Sequence, residues 1–405
     1  MGVEALSDEP AEAGPTAPDF ARTMREFNMF DQEQGRDRWE LFDYARRHCP
    51  VARTDKGPVV VTRYADVRYV LERPELFSST GVSPEPSPTS LNPLDADPPF
   101  QPDLRKLLNP LFSRTACLKF VPQMEQVADE LIDGFIHAGE VELITEFAAP
   151  FVAAVLARIV YNDPEGPNMQ RALDAVTRVA VTGDPAAYFE LAMVGNEYLA
   201  ARQHGPRDTD DVLGAITTGT VLGGRNLTDD ERLGVLTVLF LGGLDTTRGA
   251  IGMIAHEMAT RPGLEERVRD PRWQRRDMDE FLRLASPVAC LGRRVMADTE
   301  LNGVRLQEGE QILVRFDSAN HDPDQFEDPQ SLRFDLVRPG NAAFGLGIHR
   351  CLGAHLARVQ IGVAFDVLLR RLTRFRLKDP GQSVHYIFGI ARGPDRLDLG
   401  FDVRR

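Results

Sequence analysis

The feature that most constrains this chain is residues 226–263, which read NLTDDERLGVLTVLFLGGLDTTRGAIGMIAHEMATRPG. Thr228 followed by Glu231 forms a capping box, in which each member satisfies a backbone N–H left free at a helix start. Asp229 and Asp230 suit the positive end of the helix dipole, and Pro262-Gly263 stops the run. The pattern predicts one long helix from Thr228 to about Thr260. Its middle is apolar nearly all round, so the rest of the protein must enclose it. The expected fold class is therefore mainly α with minor β.

The flanking patterns agree. GPVVVTRYADVRYVLERPELF reads as a short β-branched strand followed by an amphipathic helix. Residues 80–99 are too rich in Pro and Ser for regular structure, and a long loop in a compact domain is commonly a functional one. From 104 to 260 the patterns are almost all helical, broken at YNDPEGPN and QHGPRD. After 285 short strand-like pieces such as QILVRF appear, a last helix starts near Leu352, and the C-terminal HYIFGIARGPDRLDLGF is strand-like. Residues 1–18, acidic and rich in Pro and Ala, read as a disordered tail. Residues 19–405 are expected to form a single domain.

Bulk properties exclude several function classes. The net charge of -14 leaves no basic footprint for nucleic acid. Four cysteines without a CxxC pair argue against a disulfide framework or a structural zinc site. The N-terminus lacks the basic and apolar regions of a signal peptide, and no apolar run looks long enough to span a membrane. The expectation is a cytoplasmic monomer.

Three local patterns carry chemistry. In the long helix, GGLDTT places two glycines, each costing about 1 kcal/mol against Ala, in a helix interior. It also buries Asp245, which is costly unless paired. The pattern fits either a close helix crossing at Gly242-Gly243 with a satisfied acid, or a locally opened helix where Asp245 and Thr246 handle protons. In DEFLRLASP, Glu280 and Arg283 stand i,i+3 and can pair. In NAAFGLGIHRCLGAHLARVQ, Cys351 sits in a glycine-broken loop ahead of a helix. It is either a core cysteine or a thiolate held for metal ligation. Gln101 and Arg105 stand one turn apart at the start of another helix.

Together these motifs resemble the cytochrome P-450 family: Phe344, Gly347 and Cys351 as FxxGxxxC, the ExxR of Glu280 and Arg283, and GGLDTT. The resemblance covers about residues 20–405, and GGLDTT is similar to the bacterial camphor-hydroxylase-like branch. It implies the cytochrome P-450 fold, with the long helix across the distal face of a haem b (iron protoporphyrin IX) and the Cys351 loop on the proximal face. Cys351 would be the axial thiolate, favouring O–O cleavage. The dipole and free N–H groups of the following helix would stabilise that thiolate. Phe344 would shield the sulfur, and Gly345, Gly347 and Gly353 would let the backbone approach it. Arg105, Arg293 and His349, with Gln101 where many relatives have His, would meet the haem propionates; Arg294 is an alternative to Arg293. Glu280 and Arg283 would form a buried network with an arginine of the segment LRFDLVR, Arg333 being the first choice. Asp245 and Thr246 would deliver protons during O2 activation.

The implied function is a haem-thiolate monooxygenase that hydroxylates a small to medium hydrophobic substrate. Its pocket would be lined by the 80–96 loop, Val238, Leu241, Leu244, Val288, Ala289 and Ile390. Electrons would come from an acidic [2Fe-2S] ferredoxin and its reductase, steered by Arg105, Lys106, Arg114, Arg338 and Arg350 on the proximal face. Two other readings stand beside it. One is a non-catalytic haem-binding sensor or carrier, against which the Asp245–Thr246 pair argues. The other is a metal site of His349, Cys351 and His355, crowded for tetrahedral zinc.

Overall fold

The structure, a computed structural model, describes residues 19–34, 38–81, 89–161, 163, 167–203, 211–335, 340–381 and 383–404. The expected tail at 1–18, the tip of the 80–96 loop and Arg338 lie outside the described residues.

The long helix forms, and it forms in two pieces, Asp229–Gly243 and Asp245–Thr260, with Leu244 between them. Both members of the Thr228–Glu231 capping box make their bonds. The C-terminal stop is at Thr260, and Gly263 takes the left-handed φ of +82° that begins the next short helix. Taken together, Asp229–Thr260 is long and apolar enough to cross a membrane by length and composition, which corrects the expectation of no such run. Of its most apolar window, 67% is buried inside the protein, so the run serves as the core of this fold.

Helices wrap that core. Pro167–Thr182 and Pro185–Gln203 pack on each other and on the first piece, whereas Ala354–Arg371 and Met278–Ala285 pack on the second. Leu156, Phe240, Leu244, Ile251, Phe281 and Leu368 belong to one continuous apolar core between them.

The minor β component sits to one side. A five-stranded sheet runs in the order Val51–Ala52, Val59–Val61, Gln311–Arg315, Cys290–Val295 and Phe77–Ser78. Val59–Val61 pairs with Gln311–Arg315 in parallel, and the other neighbours are antiparallel. Ile312 lies opposite Arg293. Because side chains alternate along a strand, Arg293 is buried and Arg294 is exposed. A second sheet joins Leu372–Leu377, Asp398–Val403 and Glu140–Glu142.

Candidate active site

A cavity of about 1300 Å³ lies between the central helix, the first sheet and the Cys351 loop. The loop's course follows from its glycines. Gly345 and Gly347 have φ of +67° and +68°, where a side chain would be strained. A Cβ on Gly347 would lie 2.2 Å from the Leu71 carbonyl oxygen, so this turn is pressed against the helix Tyr64–Leu71. The Cys351 N–H donates to the Phe344 carbonyl at 2.8 Å. The helix Ala354–Arg371 then begins beyond Gly353.

Cys351 keeps accessible surface, and that surface faces the cavity. Burial pushes its thiol up, while the Gly353 N–H, Arg105, Arg358 and Arg350 act in the opposite direction. Cys290 also reaches the cavity wall. It is fully buried, its thiol pushed up to about 11 by burial, and its sulfur lies against Met29 and the Gly389 carbonyl. Phe344 lines the cavity and stacks under the Arg358 guanidinium at 4.2 Å.

Gln101, Arg105, Arg293 and His349 all line this cavity. Gln101 donates to the Ile348 carbonyl at 2.8 Å, which ties its helix Phe100–Leu108 to the Cys351 loop. Arg293 donates to the Gly292 carbonyl at 2.6 Å, and burial pushes it down to about 10. Burial and then Arg293 push His349 down to about 4, and its Nε2 is buried without a hydrogen-bond partner. Among the described residues, no carboxylate forms an ion pair with Arg105 or Arg293. Two guanidinium groups without a carboxylate partner, beside an imidazole whose Nε2 is free to donate, suit anionic oxygens on this wall. The residues therefore fit a haem: Arg105, Arg293, His349 and Gln101 would hold its propionates and Cys351 would ligate its iron.

Across the cavity, both readings of GGLDTT hold, one for each glycine. A Cβ on Gly243 would lie 2.7 Å from Leu156, so Gly243 is the close helix crossing. A Cβ on Gly242 would meet nothing within 4 Å, and Gly242 lines the cavity. The ladder is weak at this point, because the Arg248 N–H reaches the Leu244 carbonyl only at 3.5 Å. Thr246 donates its hydroxyl hydrogen to the Gly242 carbonyl at 2.7 Å. Asp245 is buried, lines the cavity and forms an ion pair with Arg248. Arg248 donates from Nε at 2.9 Å and from Nη2, both to Oδ1. The sequence reading missed this partner, although an acid and an Arg at i,i+3 were its signal.

Val238, Leu241, Val288 and Ile390 lie on the cavity wall. Leu244 and Ala289 do not. The break in the helix falls at Leu244 and turns its side chain into the core. Ala289 follows Val288 in extended chain and faces away from the wall, its N–H and C=O bonded to Ile390 and Phe316 at 2.8 Å. Wall residues not anticipated include Val176, Val179 and Tyr188 from the two helices that pack on the first piece, and Leu291 from the sheet. Leu91, Pro93, Leu94 and Asp95 represent the 80–96 loop.

Glu280 and Arg283 make two parallel bonds of 2.9 Å, and Arg283 also donates to the carbonyls of Asn320, Pro329 and Ser331. Arg333 joins this network through its backbone N–H, which reaches Glu280 at 2.9 Å. Its side chain turns outward to Asp335. Arg105 is half-buried and lines the cavity. His355 is exposed, and among the described residues no three His, Cys, Asp or Glu side chains come together to hold a metal ion.

Comparison with known proteins agrees with this geometry. The family model Cytochrome P450 matches residues 277–399. The steroid C26-monooxygenase of Mycolicibacterium smegmatis is 31% identical over 372 residues, which are 89% of this chain and 92% of the relative. Cytochrome P450 107B1 of Saccharopolyspora erythraea is 32% identical, over 87% and 94% of the two chains. Among solved structures, cytochrome P450 CYP109Q5 from Chondromyces apiculatus superposes with a TM-score of 0.81 at 28% identity, covering 94% of this chain and 99% of that one.

Proposed function

The chain belongs to the cytochrome P450 family and is a haem-thiolate monooxygenase, and from that premise we propose how its own residues divide the work. Cys351 supplies the thiolate, with the Gly353 N–H and the surrounding arginines offsetting the cost of keeping it charged under burial. Arg105, Arg293, His349 and Gln101 would hold the propionates. Once bound, the haem would supply the one-electron and dioxygen chemistry, and a thiolate ligand from Cys351 would favour O–O cleavage. The span 19–405 acts as one catalytic unit.

Protons reach the distal side through Asp245 and Thr246. The Thr246 hydrogen is committed to the Gly242 carbonyl, so the hydroxyl oxygen accepts a hydrogen bond from whatever protonated oxygen stands in the cavity. Asp245 is anchored through one oxygen by Arg248 and can exchange protons through the other. The apolar wall of Val238, Leu241, Val288 and Ile390 excludes bulk water and selects a hydrophobic substrate, with hydroxylation as the reaction. The steroid C26-monooxygenase relatives favour that substrate class. Electrons come from an acidic ferredoxin with its reductase, docking near Arg114 and Arg350, and the enzyme works as a cytoplasmic monomer.

The observation that carries this reading is the accessible surface of Cys351 facing a wall of uncompensated cations. Cys351→Ser is expected to abolish the thiolate-type absorption band of the reduced, CO-bound protein. A retained band removes Cys351 from the iron.

A further inference from the structure

We propose that Arg392, which stands outside the chamber, is a positioning residue that sets one wall of it and so the shape of substrate that the enzyme accepts. This rests on the reading of the cavity as the substrate chamber of a monooxygenase. Two stretches of chain far apart in sequence build that wall. Pro287 and Val288 come from one, Ile390 and Ala391 from the other, and all four line the cavity. Arg392 is the next residue. Its guanidinium lies over the rings of Trp39 at 4.8 Å and Tyr386 at 5.5 Å, beside a separate cavity of about 140 Å³.

The two stretches are zipped together. The Arg392 N–H donates to the Pro287 carbonyl at 2.8 Å, the Ala289 N–H donates to the Ile390 carbonyl at 2.8 Å, and Val288 bridges Ala391 in antiparallel pairing. Arg392 then fixes the pair to the helix Met278–Ala285, whose last carbonyls have no partner within the helix. The Ser286 hydroxyl donates to the Arg283 carbonyl at 2.8 Å. Arg392 takes the next two: its Nη1 donates to the Ala285 carbonyl at 2.7 Å and to the Leu284 carbonyl at 3.3 Å. A cation suits this end of a helix. Among the described residues no carboxylate forms an ion pair with Arg392.

On the other side the same residue is pressed onto the central helix, where a Cβ on Gly249 would lie 2.6 Å from the Arg392 carbonyl oxygen. Arg392 is thus held between the central helix and the end of Met278–Ala285, and the zipped wall follows it. Without the two carbonyl bonds the zipper can tilt as a unit. A wall loosened by about 1 Å no longer separates ligands that differ in shape.

The test uses the haem-loaded protein, titrated with imidazole and with clotrimazole and followed by the Soret band. Both probes ligate iron through an imidazole nitrogen, and only clotrimazole carries bulky, rigid aryl groups into the chamber. The ratio of the two dissociation constants therefore reads the walls rather than the iron. Wild type is expected to bind clotrimazole about tenfold or more tighter than imidazole. Arg392→Met, which has no donor, should lower that preference about fivefold or more, with imidazole affinity and the reduced-CO band unchanged. Val288→Ala, on the wall itself, should shift the ratio in the same direction. Arg392→Lys keeps a cationic donor for the helix end and should retain most of the preference. A residue that only supported stability would lower the melting temperature and leave the ratio alone. The proposal is overturned if the ratio in Arg392→Met equals that of wild type, or if imidazole and clotrimazole weaken together. If Arg392→Met does not fold, Arg392→Gln decides on the same terms. The ratio is read in the ferric protein without turnover, so its outcome is separate from the reduced-CO spectrum that tests the oxygenase reading.

Discussion

At Asp245, two neighbours set what the carboxylate can do. Arg248 donates twice to one oxygen, and Thr246, one residue on, has turned its hydrogen back to Gly242. Thr246→Ala should still bind substrate and accept electrons, but divert them to hydrogen peroxide as proton delivery fails. Arg248→Gln leaves Asp245 buried without its counter-charge, and breaking such a pair costs about 3–5 kcal/mol. Its melting temperature and turnover should both fall, whereas the double variant Asp245→Asn/Arg248→Gln should recover stability without recovering turnover. NADH consumed, peroxide formed and product formed, read beside the melting curve, check both. Coupling in Thr246→Ala equal to wild type removes Thr246 from the relay, and full stability in Arg248→Gln removes the pair from the fold's support.

The central helix shows how two identical residues in sequence can have opposite sensitivities. Gly243 touches Leu156, so Gly243→Val should overpack the crossing and cost about 1–3 kcal/mol. Gly242 faces the cavity, so Gly242→Ala should gain up to about 1 kcal/mol of helix propensity while shrinking the chamber and weakening binding of bulky ligands. Equal thermal shifts in the two variants would deny the asymmetry. The existence of this helix, its cap, its stop and its local fault were legible in the sequence because caps, breakers and periodicity are local. The orientation of single side chains was not. Leu244 leaves the wall because the helix axis gives way there. Arg293 is distinguished from Arg294 only by the strand register opposite Ile312. Arg333 reaches Glu280 by its backbone, which no residue type announces. Tyr188 and Val176 enter the wall through helix packing at long range.

Across the whole molecule, the Cys351 side presents exposed Arg114 and Arg350, with Leu118 and Ile348 exposed beside them. Lys106 is exposed too, but its charge is shared with Asp103 at 2.9 Å. Arg114→Glu should therefore slow reduction by an acidic ferredoxin more than Lys106→Glu does, with the difference fading as salt is raised. Stopped-flow reduction across a salt series checks this, and equal rates for wild type and Arg114→Glu would place the docking face elsewhere. The parallel pairing of Val59–Val61 with Gln311–Arg315 bears on the biogenesis of the protein. A strand made early in synthesis must wait for one made late, since parallel partners pay their loop-closure entropy before any ladder forms. Until then the nascent chain carries an unsealed β-branched edge, open to pairing with its neighbours on other ribosomes. Lesions in this sheet should accordingly be felt as lost yield and inclusion bodies, even in variants whose purified enzyme turns over normally.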